Sequence, residues 1–144
     1  MAESSVWRSG VSVVRAETLD AAVSDPAGTG RTTAFNFAGT GGQATWVGAV
    51  RLKPGANTGL HHHGRHEVLV HVTRGRSEIR WGERLEFATE VTNGDVVYFS
   101  PHVPHQERNL SDQDAVDFLV VRSDDERIVV KLDGVPVEQP QRVY

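Results

Sequence analysis

Gly55-Ala56-Asn57-Thr58-Gly59-Leu60-His61-His62-His63-Gly64-Arg65-His66-Glu67 packs four of the chain's seven histidines into one short stretch. Neutral imidazole is the commonest protein metal ligand near neutral pH. In an extended chain, residues two apart share a face. His61, His63 and Glu67 therefore share parity and are expected to point into one interior. There they would present two imidazoles and a carboxylate on one side. His62 lies between two inward residues and is expected to face outward. The chain has no cysteine. Its absence excludes disulfides, thiolate-bound zinc, iron–sulfur clusters and a thiol nucleophile, and leaves nitrogen and oxygen donors for a divalent metal.

The remaining histidines are His71, His102 and His105. The last two sit in Gly94-Asp95-Val96-Val97-Tyr98-Phe99-Ser100-Pro101-His102-Val103-Pro104-His105-Gln106-Glu107-Arg108-Asn109. A turn, a buried strand and a proline-rich bend here deliver a third imidazole, His105, from a distant part of the chain. An antiparallel barrel would complete in this way a site that neither hairpin builds alone.

Outward from these stretches the pattern is that of strands. Val11–Arg15 is a short apolar run. Thr45–Leu52 ends at the turn signal Lys53-Pro54-Gly55. Glu67–Thr73 closes at Arg74-Gly75, Ser77–Trp81 breaks at Gly82, and Leu85–Val91 ends at Thr92-Asn93-Gly94-Asp95. Val96–Phe99 stops before Pro101. Ala115–Arg122 and Arg127–Leu132 are separated by Ser123-Asp124-Asp125-Glu126. Ala21–Gly42 reads as a loop or a long hairpin around Arg31–Phe37, and Ala16–Val23 as at most a single helical turn. Short strands at regular spacing between such turns imply a sandwich or barrel. Val135–Tyr144 is expected to run extended over the surface or onto a partner subunit.

Together the two stretches resemble the motifs of the cupin superfamily. The first motif of that family is Gly, five residues, His, one, His, three or four, Glu, six, Gly. The chain matches from Gly55 through His61, His63 and Glu67, and reaches Gly75 one residue late. The second is Gly, five residues, Pro, one, Gly, two, His, three, Asn. Gly94, His105 and Asn109 hold its spacing, while Ser100 stands at the Pro and His102 at the Gly. The extra residue before Gly75 admits a second alignment, with Val68 at the Glu position; strand parity favours Glu67, with a small bulge after it. His66 swinging inward would instead give an all-histidine site.

The resemblance implies an all-β fold, an antiparallel double-stranded β-helix of the jelly-roll kind. It is expected as one domain over residues 1–144, with its motif core at about 45–122. It also implies one divalent metal (Fe, Mn, Ni, Cu or Zn) held by His61, His63, Glu67 and His105. Glu67 would double as a catalytic base. His66, His71, His102, Trp46 and Trp81 are the candidates for residues behind the ligands or along a pocket. The expected activity is a metal-dependent dioxygenase of a small organic substrate. The alternatives are a metal-dependent isomerase, lyase or decarboxylase, and a non-catalytic module that binds a small molecule or metal.

Composition narrows the partners. The chain has 144 residues, 38% hydrophobic and 24% charged, with a net charge of −4. It is expected to bury a core as one domain. No basic excess exists to neutralise nucleic-acid phosphates. No apolar run approaches a membrane span, and the first residues lack a secretory pattern, so a cytoplasmic location is expected. Gly39-Thr40-Gly41-Gly42 lacks the Lys-Ser/Thr of a phosphate loop. A homodimer is expected from the resemblance and from the extended ends, Met1–Arg15 and Val135–Tyr144.

Overall fold

A computed structural model describes residues 6–13, 15, 23–24, 29–32, 44–124, 126 and 128–144. Its strands are β1 (Val23–Ser24), β2 (Thr29–Thr32), β3 (Trp46–Leu52), β4 (His61–His62), β5 (Val68–Arg74) and β6 (Arg76–Trp81). They continue with β7 (Phe87–Thr92), β8 (Val96–Phe99), β9 (His105–Asn109), β10 (Val116–Arg122), β11 (Val130–Lys131) and β12 (Gln141–Arg142). They form two six-stranded sheets, ordered β1-β2-β3-β10-β5-β8 and β11-β4-β9-β6-β7-β12. Strands distant in sequence interleave, β10 between β3 and β5 and β9 between β4 and β6. That interleaving is the double-stranded β-helix, and the all-β expectation holds.

The period of two decides which side chains enter the space between the sheets. In β5, Val68, Val70 and Val72 are buried while Leu69, His71 and Thr73 are exposed. Leu52, Ile79, Val91, Phe99, Val116 and Phe118 complete the centre of the core with them. Asn109 fastens one end of this core. Its amide nitrogen lies 3.2, 3.1 and 2.7 Å from the carbonyls of Leu52, Lys53 and Asp114, and its Oδ1 accepts the Ser111 N–H at 2.9 Å. One buried side chain thus ties the end of β3 to the approach of β10, a fully satisfied arrangement that explains an amide at this motif position.

Several expectations change in detail. Val11–Val13 and Arg15 are exposed and outside any strand. Of the described residues between Ile128 and Leu132 only Val130–Lys131 is strand, and Leu85 lies before β7 with φ of 50°. The Ala16–Val23 turn, the loop around Arg31–Phe37 and Gly39–Gly42 lie outside the described residues, except where β1 and β2 enter them. The bulge expected between Glu67 and Gly75 is present in β5: consecutive Asp117 and Phe118 of β10 face Arg74 and Val72, which leaves Thr73 as the extra residue. The tail folds back on its own sheet: β12 pairs in parallel with β7, and the Val137, Gln141 and Val143 N–H groups donate to Arg84, Glu86 and Ala88. Among the described residues, no helix is long and apolar enough to cross a membrane.

Candidate metal centre

Strand register builds the site as two facing rows at one end of the barrel. In one sheet, Trp46, Arg122, Val68 and Phe99 lie side by side across β3, β10, β5 and β8. In the other, His61, His105, Trp81 and Phe87 lie across β4, β9, β6 and β7. Phe99 joins the rows by stacking on His105, with ring centroids 4.1 Å apart.

His61, His63 and His105 converge, with one donor atom from each all within 4.8 Å of one another. His61 and His105 are buried, and His63 is half-buried. Each ring has its Nδ1 against a backbone carbonyl: Gly59 at 2.8 Å, Ile128 at 3.0 Å and Val103 at 2.9 Å. A carbonyl only accepts, so each Nδ1 carries the proton and each Nε2 presents a lone pair. This is how metal-binding imidazoles are oriented. The His105 Nε2 is buried and has no hydrogen-bond partner. An unsatisfied buried acceptor is costly, and a divalent cation is the partner that would satisfy it. The donor set therefore fits a metal.

Electrostatics keep His105 ready for that role. Burial first, then the neighbouring His61 and His63, push its pKa down to about 3. It therefore stays neutral at neutral pH. The same shift makes the metal-free fold acid-sensitive. An unfolded His titrates near 6.5, so as pH falls below that value the unfolded chain takes up a proton that folded His105 refuses. The stability from this group is fully present above about 6.5 and is lost progressively down to about 3. Between pH 7 and 5 the loss is about 2 kcal/mol. Metal-free wild type is expected to lose that much more stability over this interval than a His105→Gln variant, measured by urea denaturation at both pH values.

Glu67 is not brought to the cluster. It is exposed, and the Tyr98 hydroxyl bonds to it; burial and then that bond raise the tyrosine's pKa. The parity argument fails because the chain turns at Gly64-Arg65 before β5 begins. Alternation restarts at buried Val68 and puts Glu67 on the outer face. His71, of the same parity, is exposed there too, away from any pocket. His102 takes the place of the family glycine in a left-handed conformation, φ 61°, which few non-glycine residues adopt. It is exposed, its N–H donates to the Gly64 carbonyl at 2.7 Å, and its ring meets His62 at 5.6 Å. His66 is buried without joining the three imidazoles; its Nε2 lies 2.7 Å from Asp124 Oδ1. Arg65 first of all holds the Asp124 carboxyl down to about 2, so Asp124 accepts and His66 Nε2–H donates.

The two tryptophans separate. Trp46 is buried, with the Arg122 guanidinium 4.0 Å from its ring centroid. A Cβ on Gly48 would come within 1.9 Å of its ring, so the close approach requires glycine. Trp81 instead lines a cleft of about 640 Å³ with Ile79, Val97, Phe99, Val103 and Tyr144. The three imidazoles are not in the lining of that cleft, and Phe99 is the wall between it and His105.

The cupin-domain family profile matches residues 48–122, more than half of the chain. The chain belongs to the cupin family. This cupin overlays on the polyketide cyclase RemF from Streptomyces resistomycificus with a TM-score of 0.72 at 20% identity, covering 90% of this chain and 89% of that one. A cupin 2 domain-containing protein from Halorhodospira halophila gives a TM-score of 0.65 at 27% identity, covering 76% and 73%. Oxalate decarboxylase from Lactobacillus farciminis gives 0.66 at 17% identity, covering 81% of this chain and 34% of that one. No protein of curated function matches the chain significantly. Its structural relatives thus include enzymes, and at these identities the cyclase and the decarboxylase speak for the fold alone.

Proposed function

We propose that this cupin is a metal-dependent enzyme acting on a small enolic or phenolic molecule held beside His61, His63 and His105. The observation that carries the reading is the buried, unpartnered His105 Nε2 facing two other imidazoles whose Nδ1 atoms are tied to carbonyls. A divalent Fe, Mn, Ni, Cu or Zn ion held there would supply Lewis acidity toward a substrate oxygen. The chain's own part is to fix three neutral donors and to wall the site with Phe99, which stacks on His105.

Three uncharged ligands leave the charge of the cation undiminished. That supports polarisation of a carbonyl or phenol and favours isomerase, lyase or cyclisation chemistry. The dioxygenase is the second reading, supported by a set of three converging donors among the described residues, which leaves room for both substrate and dioxygen. A panel of enolic and phenolic compounds, assayed with metal-loaded protein in air and under strict anaerobiosis, decides. Turnover retained without oxygen and lost on chelation is expected. Turnover with stoichiometric oxygen uptake would establish the dioxygenase, and stoichiometric binding without product a non-catalytic module.

A homodimer is also proposed. β8 is a sheet edge, and Leu69, Val96 and Tyr98 expose apolar surface beside it. Light scattering should give twice the chain mass, and a Tyr98→Glu, Val96→Lys pair should give one; a wild-type monomer at working concentration would end the proposal.

A further inference from the structure

Asp124, Glu126 and residues 128–131 meet the ligand-bearing segment in reverse order. Lys131 pairs with His61 and Val130 with His62. The Ile128 carbonyl meets His63 Nδ1 at 3.0 Å, and Asp124 meets His66 Nε2 at 2.7 Å. Gly64, at φ 57°, lets the two segments touch: a Cβ there would fall 2.8 Å from Ile128 Cγ2. Arg65 adds ion pairs to Asp124, at 2.7 Å, and to Glu126.

The three imidazoles do not depend equally on this strap. His61 and His105 take their carbonyls from residues two positions earlier in the chain, Gly59 and Val103. His63 takes its carbonyl from a residue 65 positions away. Its aim is therefore set by tertiary docking, and it is the half-buried ring of the three, where water competes for Nδ1. His66 sits three residues further on with its side chain fully buried, and its Nδ1 has no partner. A buried imidazole with one nitrogen unsatisfied is a poor way to fill space, where leucine would cost nothing of the kind. Its single polar contact is the one to Asp124.

We propose that His66 is a positioning residue and not a ligand: by holding Asp124 it keeps the strap of residues 128–131 docked, and the Ile128 carbonyl of that strap fixes the tautomer and direction of His63. This rests on the metal reading above. Partners of this kind typically change metal affinity 10- to 100-fold.

The test is cobalt(II) titration of the metal-free protein at one neutral pH, followed by visible absorption, with the melting temperature of each metal-free variant beside it. His66→Ala and Asp124→Ala should each weaken cobalt binding about 10- to 100-fold. The double variant should be no weaker than either single one, because both break the same contact. His66→Gln, whose amide still donates to Asp124, should recover most of the affinity. Wild-type affinity in Asp124→Ala, or losses that multiply in the double variant, would overturn the latch. Unchanged affinity with lowered melting would reduce the contact to a folding role and overturn it equally. Failure of the wild type to take up cobalt would sink the metal reading itself.

Discussion

His105→Ala is expected to lower metal affinity by more than about 100-fold, beyond what the loss of an orienting partner costs. His105 is 1% exposed, its Nδ1 is committed to Val103, and its Nε2 has nowhere else to bond. Removing it takes one of three donors and leaves two that cannot close a facial set. The metal-free variant should still fold, because the ring stacks on the core residue Phe99 but is not one of the apolar side chains that make up the core. Glu67→Ala, by contrast, should leave affinity within about threefold, since the expected fourth donor lies on the outer face. Zinc or cobalt titration of both variants separates the two outcomes. A large loss in Glu67→Ala would restore the carboxylate to the ligand set.

Glu78→Ala should produce the largest loss of stability, about 3 kcal/mol, or about 10 °C in melting temperature. Glu78 is 2% exposed on the outer face of the second sheet, yet three guanidinium groups converge on it. Arg80, Arg108 and Arg142 lie 2.8, 3.2 and 3.0 Å from its oxygens. Burial alone would raise its pKa; Arg80, then Arg108 and Arg142, hold it below the ordinary carboxylate range. Its contribution is therefore present above about pH 4.3 and lost as pH falls through the lowered value. Without the carboxylate, three cations are left facing one another. Two of the arginines are substantially exposed, which keeps the cost toward the low end for a broken buried pair. Arg76→Ala is the control: its partner Glu90 is about as exposed as itself, and such a surface pair is worth under about 1 kcal/mol. Thermal melts of the two variants should differ by most of the 10 °C; equal melts would show that Glu78 does not organise this face.

The contrast between these two sites explains what the amino-acid order discloses. β8 was legible residue for residue, and β3, β5 and β10 to within a position, because each alternates or runs apolar between strong turn signals. His61, His63 and His105 were legible because paired motifs fix their spacing. Glu67 misled because parity survives only while the chain stays extended, and the Gly64-Arg65 turn resets it. The latch between His66 and Asp124 left no local signal, since its partners are 58 positions apart. Glu78 was hidden in Arg76-Ser77-Glu78-Ile79-Arg80, which reads as a solvated, charge-alternating strand. Only β9 and β12, one a strand that the proline-rich bend concealed and the other a returning tail, bring Arg108 and Arg142 over it.

The most direct test of the three-histidine centre is a crystal structure of protein loaded with one divalent metal, with the ion located by its anomalous scattering. The account predicts a single ion about 2.0–2.2 Å from the Nε2 atoms of His61, His63 and His105, with Glu67 still turned outward against Tyr98. An ion ligated by Glu67 or His66, or none between the three imidazoles at saturating metal, would contradict it.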